Sequence, residues 1–176
     1  MRKYELLREI CGAGVIAVLR GRSAADAREM AERAIAGGIR VVEITMTTPG
    51  AFDAIRELAA RYADGDVIIG AGTVLDAETA RAAMLSGAAF VVSPSFHPET
   101  VKMCNRYRVP VMPGVMTLGE IQAALELGVD VMKLFPGQLF SPSFIRAVKG
   151  PMPQVNLMPT GGVSLDNLAE WIRAGA

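Results

Sequence analysis

Lys133 interrupts the apolar run Val131-Met132-Lys133-Leu134-Phe135, which reads as a buried strand ending at Pro136-Gly137. Lysine is rarely buried without a partner, and loss of solvent disfavours its ammonium form, so burial lowers its pKa and frees the amine as a nucleophile. That is Schiff-base chemistry. The competing reading is a packed stem whose head snorkels to the strand end. The other lysines, Lys3, Lys102 and Lys149, lie in polar surroundings along the sequence. Alignment on the glycines that close helical segments finds a second ionisable group. From Gly38 the chain runs Ile-Arg-Val-Val-Glu43, from Gly87 Ala-Ala-Phe-Val-Val92, and from Gly128 Val-Asp-Val-Met-Lys133. Glu43 and Lys133 therefore share one repeat position. A carboxylate facing a lysine across an apolar interior is either a structural ion pair or an acid/base beside a nucleophile. Buried pairs stabilise poorly once desolvation is counted, and perturbed ionisable groups gather at active sites, which favours the second. A carboxylate raises a lysine pKa while desolvation lowers it, and the sequence leaves that balance open.

The elements that must position these groups repeat. Apolar, β-branched runs fall at 15–19, 40–45, 67–71, 89–93, 109–112, 129–135 and 155–158, with helical apolar spacing between them. The period is roughly 20 to 27 residues, that of β-loop-α-loop units. Ser23 precedes a helix over 24–36 and Asp76 one over 77–85. Thr117 precedes one over 118–127, with Glu120 placed for a capping box. Strands alternating with helices predict a parallel sheet covered on both faces. The leading architecture is a single α/β domain over 1–176, a TIM (β/α)8 barrel, with a doubly wound open sheet second. In an eight-stranded barrel, the strands of Glu43 and Lys133 are the second and sixth, facing each other within one interior layer.

A 176-residue chain that is 51% hydrophobic can bury one sizeable core. Its 18 basic and 18 acidic residues cancel and form no run of either sign, so nothing points to nucleic acid or an anionic membrane, and a small-molecule partner is favoured. The apolar stretch 12–19 is too short to span a bilayer and lacks a cleavage signal, which predicts a cytoplasmic protein. Cys11 and Cys104 are isolated and read as free thiols. His97, the sole histidine, reads as a solvent-facing loop residue and cannot build a zinc site alone.

Polar, Gly and Pro residues gather at the carboxyl ends of the expected strands, where barrel enzymes carry their loops. Arg20, Thr45, Gly72-Thr73, Ser93-Pro94 and Pro113-Gly114 are among them. After the seventh run, Thr160-Gly161-Gly162-Val163, then Ser164 and a helix, offers unobstructed backbone N–H groups where barrels commonly hold phosphate. An ordinary Gly-Gly turn feeding a Ser-capped helix is the plainer alternative.

Taken in order, Glu43-Ile44-Thr45, Gly70-Ala71-Gly72-Thr73-Val74, Ser93-Pro94, Met112-Pro113-Gly114-Val115, Lys133-Leu134-Phe135-Pro136-Gly137 and Pro159-Thr160-Gly161-Gly162-Val163 carry a family pattern. The set resembles the 2-keto-3-deoxy-6-phosphogluconate (KDPG) aldolases, class I pyruvate-dependent aldolases of the Entner–Doudoroff route, over the whole chain. The resemblance implies reversible cleavage to pyruvate and glyceraldehyde 3-phosphate by a homotrimer of TIM barrels using no metal or other cofactor. Many relatives also act on 4-hydroxy-2-oxoglutarate. It further implies that Lys133 forms the Schiff base and Glu43 carries protons. Thr73 would meet the pyruvate carboxylate and Arg20 the anionic substrate. Thr160 would bear on stereochemical preference, and Gly161 and Gly162 would contact phosphate. Pro94 and Phe135, inside matched motifs, join the substrate-binding set. One departure stands out: some relatives carry an arginine on the pyruvate carboxylate where this chain has Thr47, and the role then falls to Thr73, with Arg20 beside it.

Three alternatives remain at this level: an aldolase for the galactonate epimer, a phosphate-binding barrel isomerase or epimerase, and a catalytically idle barrel scaffold. Ile172-Arg173-Ala174-Gly175-Ala176 repeats the helix-then-glycine signature that precedes a strand. An eighth β/α unit of roughly 25 to 35 residues is therefore expected to follow, making 1–176 a C-terminally incomplete barrel.

Overall fold

The computed structural model of the chain describes residues 2–65 and 67–176. Helix α1 (Arg2–Ala13) leads to β1 (Ala17–Leu19), α2 (Ala24–Ala36), β2 (Val41–Thr45), α3 (Ala51–Arg61), β3 (Ile68–Gly72), α4 (Ala77–Leu85) and β4 (Val91–Val92). There follow α5 (Pro98–Arg106), β5 (Val111–Met112), β6 (Gly114–Val115), α6 (Leu118–Glu126) and β7 (Met132–Leu134). A 3-10 turn (Gly137–Leu139), α7 (Pro142–Lys149), β8 (Leu157–Pro159) and α8 (Leu168–Arg173) complete the order.

All pairings are parallel and follow chain order, β1-β2-β3-β4-β5 and then β6-β7-β8. β5 and β6 are one strand passage divided at Pro113, which has no backbone N–H to give to a ladder. Before Pro113 the passage pairs with β4, and after it with β7. Strand order never reverses, which excludes the doubly wound sheet and leaves the barrel-type winding. Among the described residues β1 and β8 do not pair with each other. A cavity of about 870 Å³ is lined from both of these edges, by Val18, Leu157 and Met158 among others.

Alternation along β2 shows how the core divides. Val42 and Ile44 pack outward with Ala27, Ala31, Ala54, Ile55 and Leu58 of the flanking helices. Val41 turns inward onto Ile68, Phe90, Val92 and Met112. α1 presents Leu6 and Ile10 to this inner cluster and so closes one end of it. The strand-helix period did not anticipate α1, although Leu6 and Ile10 are spaced as one helical face. Its presence corrects the expected first strand, because Val15 and Ile16 belong to the connection and only Ala17–Leu19 pair. It also corrects the placement of Lys3, which is buried and pairs with Asp130 at 2.8 Å. His97 is half-buried rather than solvent-facing, its Nδ1 lying 2.9 Å from the Thr100 hydroxyl.

The expected helix starts hold. Ser23 and Asp76 accept from the N–H groups of Asp26 and Thr79, and Thr117 with Glu120 forms the reciprocal capping box. The helix ends share one device. Ile39, Ala88, Val109 and Val129 each donate back five residues, to Ala34, Ala83, Cys104 and Ala124, around a residue of positive φ. That residue is Gly38, Gly87 or Gly128, but Arg108 (φ 57) after α5, so the glycine ruler passes over this repeat. Cys11 and Cys104 are free, and burial pushes the Cys104 thiol up to about 12.

Gly70 sits under Phe90, and a β-carbon there would run into the ring. Gly70→Ala is expected to cost about 1–3 kcal/mol of stability by overpacking. Phe90→Leu should cost less in that background than in the wild type, a coupling that denaturant midpoints of the four proteins would reveal. Equal costs in both backgrounds would show that the ring does not impose the glycine.

Candidate active site

The strand that delivers Glu43 and the strand that delivers Lys133 are each buried throughout, and both side chains end inside the barrel. Lys133 Nζ lies 3.9 Å from Glu43 Oε1, with side-chain exposures of 5% and 1%. At that separation there is an ion-pair contact but no hydrogen bond. Neither Glu43 oxygen has a hydrogen-bond partner among the described residues, and Gly72 provides the space the carboxylate occupies, since a β-carbon there would collide with it. The Lys133 amine also stands 5.1 Å from the centroid of the Phe135 ring.

Burial dominates the electrostatics of both groups. It raises the Glu43 pKa against the opposing fields of Lys133 and Arg20. It lowers the Lys133 pKa, with Glu43 opposing and Arg20 reinforcing. Both shifts therefore run toward the neutral forms, the Lys133 amine losing its proton more readily and the Glu43 carboxyl group holding its own more firmly than in water. Such a pair can attack a carbonyl and shuttle protons at the carbon so attached.

The other expected site residues lie at the strand ends, to different degrees of assembly. Thr160 and Gly161 line the same cavity as Glu43. Thr73 follows β3 with φ 56, an outlier for a β-branched residue of the kind that persists where surrounding structure enforces it, often at functional sites. Pro94 is half-buried beyond β4, its carbonyl pressed against Gly114. No hydrogen bond joins Thr73 or Pro94 to the Lys133–Glu43 pair among the described residues. Arg20 is exposed after β1, and its Nε donates to the Thr47 hydroxyl at 3.0 Å. Thus a guanidinium from the neighbouring strand occupies the surroundings of Thr47.

The glycine turn after β8 departs from expectation in one respect. Helix α8 begins at Leu168, not directly after Ser164, and the intervening turn is braced by Asn167. Its side chain accepts from the Ser164 N–H at 2.9 Å and donates to the Gly162 carbonyl at 2.8 Å. The Ser164 N–H is thus engaged, whereas those of Gly161 and Gly162 donate to no described residue. Both glycines have positive φ, 87 and 73. The Gln138 side chain lies across them, so that a β-carbon on either would meet it. Asn167 and Gln138 were not singled out from sequence. The asparagine before a helix was a readable signal, but nothing local marked Gln138.

A parallel barrel-type sheet with an amine and a carboxyl group facing each other near the strand ends has the plan of an imine-forming lyase. Comparison with known proteins narrows the class. The sequence profile described as KDPG and KHG aldolase matches residues 7–176. A 2-dehydro-3-deoxy-phosphogluconate aldolase of Treponema pallidum is 43% identical over 90% of this chain and 75% of its own length. A 2-dehydro-3-deoxy-6-phosphogalactonate aldolase of Escherichia coli is 36% identical over 92% and 78%. The KDPG aldolase of Legionella pneumophila, solved with pyruvate captured as a covalent carbinolamine, superposes with a TM-score of 0.83 at 33% identity, covering 89% of this chain and 76% of that one. The chain belongs to the KDPG and KHG aldolase family, and it is an aldolase, a lyase acting on a carbon–carbon bond.

A carboxyl group whose folded pKa lies above its unfolded value favours folding while protonated, and that contribution is lost as pH rises through the folded value. Wild-type stability should therefore fall relative to Glu43→Gln as pH rises above about 4.5, the ordinary glutamate value, and the gap should level off once Glu43 is ionised in the fold. Denaturation of both proteins across pH measures this. A gap that narrows with rising pH would mean that the Lys133 charge, not burial, governs Glu43.

Proposed function

We propose that this chain cleaves 2-keto-3-deoxy-6-phosphogluconate reversibly to pyruvate and glyceraldehyde 3-phosphate through an imine on Lys133. The observation that carries the proposal is the Lys133 amine held 3.9 Å from an otherwise unpartnered, buried Glu43 carboxyl group. The Lys133 amine adds to the C2 ketone, and the Glu43 proton leaves with the carbinolamine hydroxyl as water. The iminium is then the electron sink. Glu43, now a carboxylate, takes the proton of the C4 hydroxyl, the C3–C4 bond breaks into the iminium, and the aldehyde departs from the enamine. Glu43 returns its proton to C3, making the methyl of pyruvate, and water hydrolyses the imine.

Arg20 and Thr73 serve the carboxylate end in this reading. Gly161 and Gly162 serve the phosphate through their free N–H groups, while Pro94, Phe135 and Thr160 shape the space between. The gluconate epimer is supported by three relatives named for it at 40–43% identity, against 36% for the galactonate enzyme, while a fourth relative named for gluconate stands at 33%. Action on 4-hydroxy-2-oxoglutarate, a homotrimeric state and a cytoplasmic role in the Entner–Doudoroff route belong to the same proposal. No helix among the described residues is long and apolar enough to cross a membrane.

Pyruvate with borohydride is expected to label one residue, Lys133, read by peptide mass mapping. Lys3 is the informative control, because it too is buried but is held by Asp130. Label on Lys3, or none on the folded protein, would sink the proposal. Glu43→Gln should still be labelled yet lose roughly 10²- to 10⁴-fold in turnover, the usual share of a general acid/base. Near-normal exchange of pyruvate methyl protons in that variant would remove Glu43 from the role.

A further inference from the structure

A relay of hydroxyl groups ties the loop after β1 to the loop after β2. Arg20 Nε donates to Thr47 Oγ1 at 3.0 Å, and the Thr47 and Thr45 hydroxyls lie 3.0 Å apart. Thr45 and Thr48 follow at 3.5 Å, and the Gly21 N–H donates to Thr48 Oγ1 at 3.0 Å. The guanidinium donates to Thr47, and in each of the Thr47–Thr45 and Thr45–Thr48 contacts either hydroxyl can donate. Thr45 and Thr48 are buried, so two links of the relay are shielded from water. Gly21 is also buried and pressed so closely on Ala27 of α2 that a β-carbon could not fit. The Gly21 end of the relay is therefore anchored in packed structure, while the Arg20–Thr47 end faces outward. Thr45 is two residues beyond Glu43 on β2 and so shares a face of that strand with it.

We propose that Thr47, braced by Thr45 and Thr48, is a positioning residue for Arg20, the residue assigned above to the carboxylate end of the substrate. This rests on the imine reading of Lys133. In that reading the carboxylate is bonded to the carbon that Lys133 attacks, so its receptor must stand next to the Lys133–Glu43 pair. Only the Nε–H of Arg20 is engaged among the described residues. The two terminal nitrogens remain to take a carboxylate side by side, a geometry that lysine cannot reproduce. The charge of Arg20 acts on both Glu43 and Lys133, lowering the pKa of each.

The test uses pyruvate alone, which has a carboxylate but no phosphate, and follows exchange of its methyl protons with solvent. Thr47→Val keeps the shape of the side chain and removes the acceptor. It should raise the pyruvate KM about tenfold, the size of one hydrogen bond to a charged group, with little change in kcat. Thr47→Ser should restore the wild-type KM. Arg20→Lys should also raise KM, and the double variant Thr47→Val/Arg20→Lys should fall short of the product of the single effects, because the two residues act as one unit. An unchanged pyruvate KM in Thr47→Val would overturn the inference, as would multiplicative effects. So would a KM raised only for the phosphorylated keto acid, which would place Arg20 on the phosphate. If wild-type protein is labelled by pyruvate and borohydride while these outcomes appear, the imine reading stands and only the relay fails. If wild-type protein is not labelled, both fall together.

Discussion

An amine and a carboxyl group share the buried interior of this barrel, and most of the surrounding structure serves that arrangement. Neither group would choose it: each loses hydration that one loose contact at 3.9 Å does not replace. The strain on their charged forms is what makes them chemically useful, because both are driven toward states in which the amine can attack and the acid can give a proton. Holding them there requires strands that cannot shift. β2 and β7 are buried on both faces, and the inner cluster of Val41, Ile68, Phe90, Val92 and Met112 packs beneath them, closed by Leu6 and Ile10 of α1.

Space for the pair is made by omission. Gly72 leaves a volume that the Glu43 carboxylate fills, and Gly70 leaves one that Phe90 fills. Larger residues at either point would force the acid or the ring aside. The same economy appears after β8, where Gly161 and Gly162 keep their N–H groups clear, Asn167 braces the turn, and Gln138 lies over it. Polar recognition is thus confined to the strand ends, above an interior with little tolerance for further polar groups.

The helix ends give the scaffold its regularity. The same backward hydrogen bond closes α2, α4, α5 and α6, so the strands that follow start from equivalent points. This regularity is why Glu43 and Lys133 could be matched across three repeats by counting from glycine. It is also why the count passed over the repeat in which Arg108 takes the glycine conformation. A terminal α8 closes likewise, with Ala176 donating to Trp171 around Gly175.

Local signals alone determined the helix starts at Ser23, Asp76 and Thr117, the parallel alternating architecture, and the equivalence of Glu43 and Lys133. Each depends on hydrogen bonds or periodicity within a few residues, which composition and spacing encode directly. Tertiary structure decided the rest. It made α1 the plug of the inner core and buried Lys3 against Asp130, which the sequence places 127 positions away by their numbers, 3 and 130. It brought Arg20 to Thr47 across 27 residues and laid Gln138 over a turn on another strand. It also tipped the Lys133–Glu43 balance toward neutral forms, because desolvation depends on everything that packs around a group, and that environment comes into being only when distant strands close about it.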